Sequence, residues 1–148
     1  MDSPSPEFEA HQKILEGHRA LKDLLARVEE ALAEKTASIA EVSALLGRLG
    51  DQLVKHFELE EAGGYFAEAL EHAPRLISRA NDLMNQHPKM TARARELAKA
   101  ADPDQTPDAW WQQTAERFNA FQEELLKHEQ KEDGLIQEVY NRDLGAND

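Results

Sequence analysis

An all-α fold, an antiparallel up-down-up-down four-helix bundle, is predicted by three features of the sequence. Apolar residues recur at alternating spacings of three and four along four stretches. Pro-, Gly- and Ser/Thr-containing breaks separate those stretches, and the composition is rich in Ala, Glu, Leu and Gln with few β-branched runs. Amphipathic helices with short connections bury their apolar stripes by packing around one core. A chain of 148 residues is long enough for one such core.

Residues 1–7, with two Ser-Pro steps, read as an extended lead-in, because proline disfavours helix at the residue before it. The bundle is expected over 8–140. The first helix starts near Phe8, and its inward series is Ile14, His18, Leu21, Leu25, Val28 and Leu32. Ser38 followed by Glu41 forms a capping box that opens a second helix. Its inward series is Ile39, Val42, Leu46, Leu49, Leu53, His56, Glu60, Gly63, Ala67 and Leu70. Pro74 suits the first turn of a third helix, with Leu76, Ala80, Leu83, His87, Met90, Ala94 and Leu97 inward and a kink at Pro88. After a loop at 101–107, a fourth helix turns Trp111, Ala115, Phe118, Phe121, Leu125, His128, Glu132, Leu135 and Val139 to one side, and 141–148 form a tail. Because His87 lies closer to that loop than His128, the start of the fourth helix must overhang or the loop must run alongside it.

His18, His56, Glu60, His87, His128 and Glu132 occupy seam positions where packing calls for Leu or Ile. Burying a carboxylate without a partner costs several kcal/mol, so two on core seams require compensating charge, and a metal cation is the simplest source. The spacing agrees: residues four apart on a helix are offset by about 40° and about 6 Å, so each His-x-x-x-Glu pair can address one site. His18 and His56 are level about the first turn, as are His56 and His87 about the second. With no cysteine, only nitrogen and oxygen ligands are available, and disulfides and cysteine-ligated clusters are excluded.

One His, then His-x-x-x-Glu, then one His, then His-x-x-x-Glu resembles the hemerythrin-like HHE cation-binding family over about Phe8 to Tyr140. The resemblance implies a non-haem centre of two iron ions inside the bundle, with His18, His56, His87 and His128 as terminal ligands and Glu60 and Glu132 bridging. It implies binding of dioxygen or a related small molecule such as nitric oxide or peroxide. The oxygen-carrying hemerythrins, which this sequence is similar to, place two His four apart on the third helix and an Asp five after the last His. Here Thr91 stands in the second His position, and Asp133 is a competing carboxylate beside Glu132, which the seam favours. Four imidazoles, two bridging carboxylates and a bridging hydroxide leave about two of about twelve coordination positions open. That vacancy points away from simple carriage, toward sensing, storage or redox work. A di-iron oxidase or peroxide-consuming enzyme, or a bundle holding zinc, manganese or no metal, are the alternatives.

The remaining candidates have plainer readings. His11 is expected at a bundle end, His72 at a helix end, and Glu58 and Glu61 on solvated surface, with Glu61 alone of the two near enough for the alternative role of an extra ligand. Trp110, Trp111, Phe118 and Phe121 read as packing residues, and Tyr65 as a possible hydrogen-bond donor near the Gly pair. A net charge of −12 repels a phosphate backbone, so nucleic acid is not an expected partner. No stretch reaches the roughly 20 apolar residues of a membrane span, and the N-terminal segment lacks the basic and apolar parts of a secretory signal. A cytoplasmic protein is the expectation.

Overall fold

The computed structural model describes the backbone of residues 6–62, 71, 73–99 and 105–146, and the side chains of 12–61, 71, 73–99 and 105–138. Helix α1 spans Pro6–Glu34 and α2 spans Ile39–Ala62. Pro6 stands at the opening of α1, where its missing N–H costs nothing, so the helix starts before the expected Phe8 and takes up the end of the expected lead-in. Lys35 closes α1 in the left-handed region at φ 55°, donating its N–H to the Ala31 carbonyl at 3.0 Å. Ser38 Oγ accepts the Glu41 N–H at 3.1 Å, half of the expected capping box, and α2 starts at the next residue.

The third helix of the bundle comes in two pieces. A 3₁₀ turn at Pro74–Leu76 runs into α3, Ile77–Asn85, and Gln86 separates this from α4, His87–Leu97. Pro88 has no N–H to give the preceding turn, and the helix breaks just before it. The interruption falls immediately before His87, as the sequence predicts. Thr106 Oγ1 accepts the Ala109 N–H at 3.2 Å and caps α5, Pro107–Ala146. Residues 141–146, expected in the tail, instead continue this helix, which runs on through Gly145 to Ala146.

The described residues form helices and no strand. α1 packs on α2, α2 on α4, α3 and α4 on α5, and α5 returns to α1. This ring is compatible with the expected up-down-up-down order. His18 and His56 meet with ring centroids 4.5 Å apart, as an antiparallel α1–α2 hairpin requires. No helix is long and apolar enough to cross a membrane among the described residues.

Two seams differ from the expected ones. Leu24 is buried and Leu25 only half-buried, and at the start of α5 the buried residues are Trp110 and Thr114, not Trp111 and Ala115. In both places two neighbouring residues border the seam, and sequence spacing alone chooses between them weakly. The overhang expected of the fourth helix is real, since α4 stops at Leu97 while α5 begins 40 residues of helix whose early Trp110 joins the core of Leu32, Val42 and Leu97. Val28, Val42, Leu46, Leu49 and Leu53 are fully buried there, each contributing about 1.5–3 kcal/mol through removal from water. A smaller cluster of Ala73, Leu76, Ala80, Leu83 and Leu135 closes the other end. The polar seam residues lie between these two apolar plugs. Gly63, Ala67 and Leu70, Tyr65 and His72 lie outside the described residues, as do the side chains of His11 and Val139.

Candidate metal centre

All six predicted residues converge between the plugs. His56 is fully buried, Glu60, His87, His128 and Glu132 are buried, and His18 is half-buried. With Glu129 they form two groups whose ligand atoms lie within 4.8 Å of one another: His18, His56, Glu60 and Glu129 in one, and Glu60, His87, His128 and Glu132 in the other. Glu60 belongs to both. Glu132 belongs to the second only, so the geometry gives a shared position to one carboxylate of the expected bridging pair. Asp133, the competing carboxylate, is exposed and in neither group.

The separations are those of ligands around an ion. His56 Nε2 lies 2.7 Å from Glu60 and 3.3 Å from Glu129, and His18 Nε2 lies 2.9 Å from Glu129. His87 Nε2 lies 3.3 Å from both Glu60 and Glu132 and 3.1 Å from His128 Nε2, while His128 also meets Glu132. Neighbouring ligands of a six-coordinate cation with bonds of about 2.1 Å sit roughly 3.0 Å apart. Hydrogen bonding does not account for the first group: His18 Nε2, His56 Nε2 and both oxygens of Glu60 and of Glu129 are buried without a partner in hydrogen-bond geometry. Buried polar atoms are rarely left so, and their convergence on one another fits a cation better than it fits a hydrogen-bond network.

Charge in the metal-free centre is balanced by protons. Burial disfavours a charged His56, but the carboxylates of Glu129 and Glu60 outweigh it and raise its pKa to about 10. Burial opposes His87 likewise, and Glu132 and Glu60 carry it to about 9. Glu60 is held down at about 2, its burial overcome by His56 and His87. Glu129 is also lowered, with His18 and His56 overcoming burial, whereas burial raises Asp133.

The two groups are held differently. In the second, the far ring nitrogens have partners: His87 Nδ1 lies 3.1 Å from Glu61 and His128 Nδ1 lies 2.9 Å from Gln86. Such partners fix the ring and its tautomer and raise ligand basicity. Glu61, expected on the solvated surface, thus faces the far side of His87 and is no member of either group. In the first, His56 Nδ1 is buried without a partner, and a Cβ at Gly17 would lie 3.1 Å from it, so the missing side chain lets α1 close over the ring. His18 and Glu129 remain 21% and 18% exposed, facing a cavity of about 300 Å³ between α1 and α5.

Glu129, Phe57, Gln86 and Gly17 escaped the sequence reading. Each stands one residue from a seam position, and a helix with two neighbours buries a wider arc than a single seam. Phe57 stacks on His87 with centroids 3.8 Å apart and planes 5° from parallel, holding the ring from behind. Phe57→Ala is expected to cost about 3–5 kcal/mol of stability. It should also loosen metal binding at the His87 group more than at the His18 group, read from thermal unfolding and metal titration.

A family model of the hemerythrin HHE cation binding domain matches residues 10–106. No curated protein and no solved structure matches the chain. The matched stretch contains His18, His56, Glu60 and His87, and the fold, not the match, adds His128, Glu129 and Glu132 from α5. With the match covering most of the sequence and the helices closing a buried His/Glu cluster suited to cations, the chain belongs to the hemerythrin HHE cation-binding domain family.

Proposed function

We propose that this chain is a cytoplasmic non-haem di-iron protein that binds dioxygen or a related small molecule such as nitric oxide or peroxide, for sensing, storage or redox protection. The observation that carries the reading is the pair of His/His/Glu groups joined by Glu60. In this reading His18, His56 and Glu129 hold one ion, His87, His128 and Glu132 hold the other, and Glu60 is common to both. Two ferrous ions bring four positive charges against three carboxylates, which answers the burial of those carboxylates. Imidazole and carboxylate donors suit iron, though they also accept zinc and manganese.

Iron supplies reversible electron exchange and open positions for a small ligand. The chain supplies the rest. Phe57 packs against the rings of His56, His87 and His128, and Leu53, Leu125, Leu83 and Leu135 belong to the two apolar clusters on either side, which limits solvent access and lowers the local dielectric. Glu61 and Gln86 orient His87 and His128. Four protein donors in each group, with a hydroxide shared between the ions, would leave about two of about twelve positions open, more than a carrier needs. The same vacancy, with the cavity beside His18, favours a di-iron oxidase or peroxide-consuming enzyme as the second reading.

Anaerobic loading with ferrous iron, metal counting and optical spectra before and after admitting oxygen test the proposal. About two irons per chain and a charge-transfer band that reverses on deoxygenation are expected. Irreversible oxidation with repeated turnover supports the enzyme. Uptake of only trace iron, or His56→Ala and His128→Ala variants that bind it as well as the parent chain, would sink the assignment.

A further inference from the structure

We propose that the cavity between α1 and α5 binds a small, uncharged, largely apolar organic molecule against the His18–Glu129 side of the centre. The proposal rests on the metal reading for what lies at the cavity floor, and on the cavity itself for what fits above it. At about 300 Å³ the space far exceeds what a diatomic gas or peroxide needs. A dry apolar cavity of about 150 Å³ already holds benzene, so this one has room for an organic molecule roughly twice that size.

The walls are Leu21, Leu25, Ala26, Leu125 and Leu126. Leu126, 57% exposed, stands where the cavity meets solvent. The floor is formed by His18 and Glu129, whose Nε2 and carboxylate oxygens are buried and face one another at 2.9 Å without hydrogen-bond geometry. Charge narrows the class further. Beyond the metal donors, Glu29 and Asp133 outnumber Lys22 along the lining and oppose an organic anion. A bound metal cation at the floor repels an organic cation. A neutral apolar molecule meets neither penalty and gains from burial against leucine.

Two further cavities among the described residues do not reach the centre. The cavities near Arg93 and Arg117, between α4 and α5, and near Lys13 and Lys55, between α1 and α2, include none of the seven donors. Among the described residues the His87 group is buried and braced, whereas His18 and Glu129 border this cavity. The inferred arrangement places such a molecule beside one ion only.

The test titrates toluene, benzoate and benzylammonium into the full chain, metal-free and zinc-loaded, while methyl and imidazole NMR signals are followed. Zinc keeps redox chemistry out of the readout. Saturable toluene binding is expected, shifting methyl signals of Leu21, Leu25, Leu125 and Leu126, and in the zinc-loaded chain the His18 ring as well. Ala26→Trp fills the cavity from a solvent-facing position and should weaken toluene at least about tenfold while zinc stoichiometry holds. Leu126→Glu, at an exposed site, should act in the same direction and serves if the Trp variant misfolds. Absent saturation, preference for benzoate or benzylammonium, or toluene binding unchanged in both variants overturns the proposal. Toluene binding with no uptake of zinc or iron overturns the metal reading and leaves the cavity standing, so the two failures are distinct.

Discussion

Glu60→Gln is expected to abolish two-ion binding, lowering affinity at both positions by more than about 100-fold while the helical content is retained. Glu60 alone stands in both donor groups, with one oxygen 2.7 Å from His56 and the other 3.3 Å from His87. The amide keeps size and shape but removes the negative charge common to two cations. Its nitrogen cannot act as a ligand, so one oxygen must serve where two did. Glu129→Gln and Glu132→Gln sharpen the test, because each touches a single group. The first should weaken the ion at His18 and His56, the second that at His87 and His128, leaving about one tightly held ion in each case. Metal counting after dialysis, with circular dichroism for folding, distinguishes these results. Two ions retained in Glu60→Gln at unchanged affinity would remove the basis for a shared ligand.

The six seam residues were legible because each breaks a rule that its neighbours obey. His56 and Glu60 continue the series Leu46, Leu49, Leu53 and end up as deeply buried as those leucines. His87 was legible together with its break, since Pro88 removes a backbone donor wherever the helix is packed. Glu129 was not legible, because its place depends on how α5 faces α1, and periodicity within one helix carries no information about which neighbour flanks it. The shift from Trp111 to Trp110 has the same origin, as both border the seam and the packing partner decides. Gly17 illustrates a further limit: its role exists only opposite the ring of His56, across two helices. Period finds the core, whereas the division of the core residues into two donor groups is a tertiary property.

Metal binding is expected to release about two protons near pH 7.5, and the stabilisation it confers should grow as pH rises from 6 toward 9. In the metal-free chain the carboxylates raise His56 to about 10 and His87 to about 9 against burial, so both rings are imidazolium at neutral pH. A group raised on folding contributes stability that is fully present below its unfolded pKa of about 6.5. That contribution fades as pH climbs through 9 and 10, so the metal-free chain should weaken in alkali. Glu60, depressed to about 2, acts in the opposite sense: its contribution is present above about pH 4.5 and is lost as pH falls toward 2. Ions must displace the two imidazolium protons to reach His56 and His87, so acid competes with metal and alkali favours it. Calorimetric titration of zinc in buffers of different ionisation heat measures the proton count, and melting curves of loaded and metal-free chain across pH measure the divergence. Proton release near zero, or a gap in melting temperature that does not change between pH 6 and 9, would mean that metal does not displace the protons of these rings, and the centre would have to be sought among other donors.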